Sequence, residues 1–269
     1  MRRLGSLAIR RSSLSIADVA SVGAGVRVVE PRRRSGSGAV MLLHGGGYVL
    51  GTNRDIESKA VMLAEVCGVP VVCPGYRLAP AHPFPAGLDD CHSAWSWATT
   101  GGLLDVDPDK IVLGGYSAGG GLAAALAQRL RDDGAVSPVA QVLVYPMLDD
   151  RTAARFDLDV PAHPVWSNVN NRYGWSSYLG AAPGGDVPAY AVPARCGDLG
   201  GLPPAWIGVG TRDLFLDESR TFAERLTEAG VSVDYVEVEG GVHAFDFEPT
   251  RRTRAFDASV AAFVGRHTS

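Results

Sequence analysis

The chain alternates short apolar runs with longer segments of helical periodicity, and this alternation constrains its fold more than any other feature. Strands that alternate with helices predict a parallel sheet joined by crossover helices. Nearly continuous apolar strands indicate that helices cover both faces of the sheet. The predicted strands are 26–30, 39–43, 70–74, 110–115, 140–146, 204–210 and 232–239. The predicted helices are 54–67, 87–99, 118–132, 217–229 and 253–266. The predicted fold class is therefore α/β, with a mostly parallel central sheet.

Residues 150–203 interrupt this alternation, because they contain no convincing strand and are rich in Pro, Gly, Trp and Tyr. A long surface loop would have the same composition, but several aromatic residues favour a segment that packs over something. These aromatic residues are Trp166, Tyr173, Trp175 and Tyr178. At 269 residues the chain is expected to form one domain, 1–269. We expect 150–203 to be a cap within that domain, and the short segment 1–25 to contribute to the cap.

The composition excludes several classes of protein. A formal charge of −4 and a pI of about 5.9 lack the basic excess of nucleic-acid-binding proteins. The four cysteines form no C-x-x-C pair and are expected to be reduced. The N-terminal apolar run is too short for a signal peptide, and no run reaches the length of a membrane span. No residues have metal-ligand spacing, so neither a metal nor another cofactor is expected. We expect a cytoplasmic protein that binds neither nucleic acid nor membrane.

Residues 114–123, GGYSAGGGLA, place one serine among glycines where a predicted strand gives way to a helix. Gly115, Ser117 and Gly119 form the pattern G-x-S-x-G, in which glycines allow a sharp turn that exposes a strained serine. A phosphate-binding loop would need a lysine that is absent here, and the dinucleotide pattern G-x-G-x-x-G is missing at this turn. A flexible linker is the other alternative. Because a helix N-terminus also favours negative charge beside the serine, the pattern indicates a nucleophile.

A second glycine-rich segment, His44-Gly45-Gly46-Gly47, follows the predicted strand 39–43. Glycines let backbone N–H groups approach a substrate closely. Two of these amides, together with that of Ala118, would hold the oxyanion of a tetrahedral intermediate. A simple tight turn is the alternative.

A nucleophilic serine also needs a base and an orienting carboxylate. Of the six histidines, His243 comes just after the last predicted strand, at the edge where strand ends carry α/β sites. A surface-loop histidine is the alternative. Asp213 is the acid nearest the end of the preceding strand, whereas Asp217 and Glu218 begin a helix, where carboxylates are favoured without catalytic duty. The order Ser117, Asp213, His243 is the order of α/β-hydrolase triads.

Five blocks, in this order, resemble the bacterial hormone-sensitive-lipase-like esterases of the α/β-hydrolase superfamily: HGGGYVLG, YRLAPAHPFPAGLDDC, DVDPDKIVLGGYSAGGGLA, GLPPAWIGVGTRDLFLDES and GVHAF. The resemblance runs from about residue 38 to the end. It implies an α/β-hydrolase fold and the same three catalytic residues, and it implies oxyanion donors at Gly46, Gly47 and Ala118. Tyr116 departs from the family, which has Asp or Thr before the serine. The segment before His44 is also short, which implies a reduced cap and a more open pocket.

The resemblance implies a serine esterase for short- to medium-chain carboxylic esters. An aryl formamide or carbamate hydrolase would use the same residues, and a non-catalytic binding protein of this fold is a further alternative. Candidate pocket residues, each of which would also serve as ordinary packing, are Tyr48, Trp166, Tyr173, Trp175 and Phe215. The expected partner is a small-molecule ester, and the sequence leaves association into a homodimer open.

Overall fold

The computed structural model of the protein describes residues 10–269 except residues 12, 21, 161 and 162. Nine strands in these residues form one sheet in the order β1-β2-β3-β5-β4-β6-β7-β8-β9. The strands are Arg10–Arg11 (β1), Leu14–Val19 (β2), Val26–Pro31 (β3), Ala39–Leu43 (β4), Val71–Pro74 (β5), Ile111–Tyr116 (β6), Ala140–Val144 (β7), Ala205–Gly210 (β8) and Val233–Val238 (β9). All seven predicted strands are present.

The sheet is mostly parallel, as predicted. Strands β4 to β9 pair in parallel with their neighbours, and the register places Leu43 of β4 opposite Gly115 of β6. The carboxyl ends of these six strands therefore lie along one edge of the sheet. Strands β1, β2 and β3 form an antiparallel extension, in which β3 pairs with β5.

Strand β2 corrects the expectation that segment 1–25 contributes to the cap. Residues 14–19 pair with β3 in the main sheet, and residues 1–9, 12 and 21 lie outside the described residues. Leu14 and Ile16 are buried while Ser15 between them is exposed. Such alternation is typical of a strand with one buried face.

Seven α-helices are found in the described residues, and five of them correspond to the predicted helices. They are Glu57–Cys67 (α1), Ala86–Trp97 (α2), Ala118–Asp132 (α3), Asp150–Ala153 (α4), Asn168–Leu179 (α5), Leu216–Glu228 (α6) and Arg251–Thr268 (α7). Helices α1 and α7 pack on one face of the sheet, and α2, α3 and α6 pack on the other. The sheet is thus covered on both faces, as its apolar strands predicted.

The unpredicted helices α4 and α5 both lie in segment 150–203. Helix α5 begins after Ser167, whose side chain accepts a hydrogen bond from the amide of Asn170, and it ends at Gly180 with a φ of 66°. Its buried aromatic side chains, Trp175 and Tyr178, pack into the core that α2, α3 and α6 share. No strand is found among the described residues of this segment, as expected.

All four cysteines are free thiols. Burial raises the pKa of Cys67 to about 11 and that of Cys73 to about 12, so both stay protonated near neutral pH. Over the described ranges, none of the helices is both long enough and apolar enough to cross a membrane.

Candidate active site

Ser117 occupies a sharp turn between β6 and α3. Its φ is 56° and its ψ is −119°, a backbone conformation that residues other than glycine rarely adopt. The turn is held on both sides, because the Ser117 amide donates to the carbonyl of Val144 at 2.9 Å and the Ser117 carbonyl accepts from the amide of Met147 at 3.0 Å. The strand end of β7 therefore fixes a strained serine in place.

The glycines around Ser117 are required by close backbone contacts. A Cβ on Gly115 would lie 2.1 Å from the carbonyl oxygen of Gly119, and a Cβ on Gly119 would lie 2.3 Å from the carbonyl oxygen of His44. No side chain fits at these distances. The two glycines bring the start of α3 against both the turn and the end of β4.

Ser117, His243 and Asp213 are brought together by the ends of three strands. The Nε2 atom of His243 lies 2.9 Å from Oγ of Ser117, and its Nδ1 atom lies 2.9 Å from Oδ2 of Asp213. All three residues are buried. Because the carboxylate is an acceptor only, Nδ1 donates to it and Nε2 is left to accept from the serine hydroxyl.

Two further contacts fix the orientation of these groups. The second carboxylate oxygen of Asp213, Oδ1, accepts a hydrogen bond from the amide of Phe215 at 3.0 Å. The rings of Tyr145, at a centroid distance of 4.7 Å, and Phe215, at 5.3 Å, pack against the imidazole of His243 in T-shaped arrangements. The imidazole is held by packing as well as by hydrogen bonds.

The two competing acids have other contacts. The Asp217 side chain is 75% exposed and faces arginines at 3.9 Å. The carboxyl of Glu218 is buried, and it accepts hydrogen bonds from the amide of Leu148 and the hydroxyl of Thr152. Burial raises the pKa of Glu218 well above its usual value, although these hydrogen bonds oppose the shift. Neither carboxylate has a hydrogen bond or ion pair with a histidine in the part of the chain that the structure describes.

The glycine loop after β4 is held by His44. Burial lowers the pKa of His44, so its ring is neutral, and Nδ1 donates to the carbonyl of Gly45 at 2.7 Å. The ring stacks on Tyr76 at a centroid distance of 4.1 Å, and the Tyr76 hydroxyl donates to the His44 carbonyl at 2.8 Å. The loop carries positive φ angles of 118° at Gly46 and 58° at Gly47.

Three backbone amides near Ser117 are free. Within the described residues, the N–H groups of Gly46, Gly47 and Ala118 donate to no protein acceptor. Gly46 and Gly47 belong to the loop after β4, and Ala118 is the first residue of α3, where amides have no partner inside the helix. The sequence predicted these residues as oxyanion donors, and that role stays a prediction.

A cleft of about 490 Å³ opens over Ser117 and His243. Its wall is mostly apolar. The large side chains that line it are Leu50, Ile56, Tyr116, Tyr145, Val165, Trp166 and Phe247. A second cavity, of about 640 Å³, is lined by charged residues that include Arg195 and Glu218, and Ser117 is not part of it.

Only Trp166 of the five predicted pocket residues lines this cleft. Tyr48, Trp175 and Phe215 are fully packed in the core, where Tyr48 donates its hydroxyl to the Met147 carbonyl. Tyr173 is 58% exposed on α5 and does not line the cleft. The pocket prediction was wrong for these four residues, because large aromatic side chains near a site are needed for packing beneath it as often as for lining it.

Several lining residues were missed by the sequence reasoning, although some carried a signal. Tyr116 and Tyr145 end or follow strands whose carboxyl ends form the edge that carries the site. Phe247 follows His243 by four positions in the same loop region. Leu50 and Val165 had no comparable signal, because their position over the cleft depends on how their loops fold.

Comparisons with known proteins agree with this geometry. A family model described as the alpha/beta hydrolase fold matches residues 40–247. An arylesterase from Saccharolobus solfataricus is 33% identical over 248 residues, which are 89% of this chain and 78% of the relative. A solved bacterial heroin esterase superposes with a TM-score of 0.90 at 31% identity, covering 97% of this chain and 86% of the other. A solved esterase of the bacterial hormone-sensitive lipase family superposes with a TM-score of 0.85 at 29% identity, covering 97% and 87%.

The resemblance stated from the five sequence blocks is thereby confirmed. The chain belongs to the α/β-hydrolase fold family, in its group of bacterial hormone-sensitive-lipase-like carboxylesterases.

Proposed function

We propose that this esterase hydrolyses carboxylic esters with short to medium acyl chains through an acyl-enzyme on Ser117. One observation carries the proposal: Asp213, His243 and Ser117 form a continuous chain of hydrogen bonds, both 2.9 Å long, beside free backbone amides. A nucleophile, a base and an orienting carboxylate in hydrogen-bonding reach are the arrangement that acyl transfer needs.

In the first half of the reaction, Nε2 of His243 accepts the proton of the Ser117 hydroxyl as Oγ attacks the ester carbonyl carbon. The carbonyl oxygen becomes an oxyanion, which the amides of Gly46, Gly47 and Ala118 stabilise. Asp213 stabilises the imidazolium and keeps Nδ1 protonated. The imidazolium then gives its proton to the alcohol oxygen as the carbon–oxygen bond to the alcohol breaks, which leaves the acyl group on Ser117.

In the second half, a water molecule takes the place of the serine hydroxyl. His243 accepts a proton from this water as it attacks the acyl carbon, and the same amides hold the second oxyanion. The proton returns to Oγ of Ser117 when the acid leaves. The enzyme is thus restored, and no cofactor takes part in the proton transfers.

The cleft supports the choice of substrate. Its volume of about 490 Å³ and its apolar wall suit a small ester better than a long-chain glyceride. Similarity to an arylesterase supports an ester whose alcohol is aromatic. An aryl formamide or carbamate would fit the same cleft, and it remains the second candidate.

We also propose that residues 150–203 are the cap of the single domain 1–269. Trp166 supports this, because its ring lies against the glycine loop: a Cβ on Gly47 would approach Cη2 of Trp166 to 2.1 Å. Helix α5 anchors the segment through Trp175, which is fully buried. A cytoplasmic location is a further prediction from the sequence, which leaves association into a homodimer open.

A labelling experiment tests the proposal. A fluorophosphonate probe should label the wild type and a Ser93→Ala control, whose serine is exposed on α2, but not Ser117→Ala. Because catalytic residues act as a unit, kcat of Ser117→Ala should fall by about 10⁴ to 10⁶. With p-nitrophenyl esters, acetate to octanoate should be hydrolysed faster than palmitate. Near-normal turnover by Ser117→Ala would overturn the mechanism, and faster cleavage of aryl formamides or carbamates would replace the ester assignment.

A further inference from the structure

A buried ion-pair cluster lies beneath the loop that carries His243, and the mechanism does not use it. Lys59 of α1 is only 5% exposed. Its Nζ atom lies 2.7 Å from Oδ2 of Asp246, 2.8 Å from the Asp246 carbonyl oxygen and 2.8 Å from Oδ1 of Asp257 in α7. A buried ammonium needs such partners, since an unpaired buried charge costs several kcal/mol.

Tyr145 connects this cluster to the imidazole. Its hydroxyl donates to Oδ1 of Asp246 at 2.7 Å, and its ring packs against that of His243 in a T-shaped arrangement at a centroid distance of 4.7 Å. Burial raises the pKa of Tyr145 well above its usual value, so the hydroxyl keeps its proton and acts as the donor. The Tyr145 backbone is held too, because its amide donates to the Gly208 carbonyl at 2.7 Å.

The hydrogen bonds of His243 leave one motion unrestrained. Nδ1 is tied to Asp213 and Nε2 to Ser117, so these two bonds define an axis through the ring. Rotation about this axis changes the tilt of the ring plane with little change in either distance. Tilt matters because the N–H and lone-pair directions of an imidazole diverge slightly from the line that joins Nδ1 and Nε2, so turning the ring about that line takes both partners out of the ring plane and weakens both hydrogen bonds. Among the described residues, the aromatic rings that limit the tilt by packing are those of Tyr145 and Phe215 and, farther away at a centroid distance of 6.4 Å, that of Trp166.

We propose that Tyr145 is a positioning residue that sets the tilt of the His243 imidazole, and that the buried Lys59–Asp246 pair holds Tyr145 in place. The inference rests on the proposed function, because it gives Tyr145 a part in the same proton transfer. It acts through His243 and makes no bond to the reacting atoms. A merely structural cluster would join α1, α7 and the His243 loop without affecting the proton transfer.

Tyr145→Phe removes the tether and keeps the ring. We expect kcat to fall about five- to fiftyfold while KM changes by less than about twofold, since small misplacements of catalytic groups have effects of this order. The low-field proton NMR signal of the His243 Nδ1–H, assigned by its loss in His243→Ala, should shift or broaden. The double variant Asp246→Asn/Tyr145→Phe should have a kcat no lower than that of the more impaired single variant, because both substitutions act on His243 through Tyr145.

Gln141→Leu is the matched control. Gln141 is a buried residue of β7, the strand that precedes Tyr145, and its side chain donates to the Pro203 carbonyl at 3.1 Å at the other end of the strand. This variant also loses a buried hydrogen bond, so its melting temperature should fall at least as far, with kcat and the NMR signal unchanged. An unchanged kcat in Tyr145→Phe, or an equal loss in Gln141→Leu, would overturn the inference. Failure of the wild type to react with a fluorophosphonate would instead overturn the proposed function.

Discussion

Replacing Asp213 by Asn should abolish most activity while leaving the fold intact. In the structure, Oδ1 of Asp213 accepts from the Phe215 amide at 3.0 Å and Oδ2 accepts from Nδ1 of His243 at 2.9 Å. An asparagine must keep its single oxygen towards Phe215, because the reverse orientation would face a buried N–H with another donor and cost about 1–3 kcal/mol. Its NH₂ group then faces His243.

Facing a donor, Nδ1 of His243 must become the acceptor, and the neutral ring then carries its proton on Nε2. This tautomer cannot accept the proton of Ser117. We expect kcat to fall by about 10⁴, which corresponds to about 5.4 kcal/mol of barrier. The melting temperature should change little, since the side chain keeps its size and its bond to Phe215.

The assay is kcat on p-nitrophenyl acetate together with the rate of fluorophosphonate labelling, measured for Asp213→Asn and for Asp217→Asn. Asp217 is a matched control because it lies four residues later, in the first turn of α6, and its side chain is 75% exposed. It should retain wild-type rates. A loss below tenfold in Asp213→Asn, or similar losses in both variants, would refute the tautomer argument and the choice of acid.

Three other substitutions test packing: one beside the site, one in α7 as its control, and one at a buried carboxyl. Gly119→Ala should lower the free energy of unfolding, measured in urea, by about 3 kcal/mol and lower kcat more than about a hundredfold. Its Cβ would lie 2.3 Å from the His44 carbonyl oxygen and would displace the glycine loop after β4. Gly265→Ala in α7, where nothing lies within 4 Å of the new Cβ, should stabilise by about 0.5–1 kcal/mol, and equal behaviour of the two variants would contradict the clash. The stability of Glu218→Gln relative to the wild type should increase as the pH rises from about 4.5 to 8. The pKa of Glu218 is raised in the folded state, so the wild type loses stability as the pH rises through that pKa, whereas glutamine has no proton to lose. A stability difference that is the same at both pH values would contradict the assignment of burial as the cause.

The parallel strands could be predicted from the sequence because their signals are local, and the three residues that the structure joins by hydrogen bonds, Ser117, His243 and Asp213, carry local signals as well. A strand buried on both faces is apolar throughout, and the glycines beside Ser117 are dictated by backbone contacts that no other residue satisfies. His243 and Asp213 needed only the general rule that α/β sites lie at the carboxyl ends of strands. The geometry of their hydrogen bonds could not be predicted, since it depends on loop conformation.

The remaining features could not be predicted from the sequence, and the reasons are physical. Strand β2 buries only one face, so its short alternation is a weak signal beside the continuous strands. Helix α5 is rich in Asn and Ser and has no clear apolar stripe, because Trp175 and Tyr178 supply most of its burial. The residues that line the cleft could not be predicted, because tertiary packing decides whether an aromatic side chain faces the cleft or lies behind its wall. Phe215, which packs behind His243, is an example.

The hydrogen bond between Ser117 and His243 joins residues 126 positions apart, across β7, β8 and β9. During synthesis the ribosome delivers the serine, its turn and the glycine loop long before the base exists. In the proposed mechanism, a nascent chain therefore carries the serine without its base, and it gains esterase activity only when its last strand has docked. Recovery of turnover after refolding thus reports the completion of the sheet rather than its beginning.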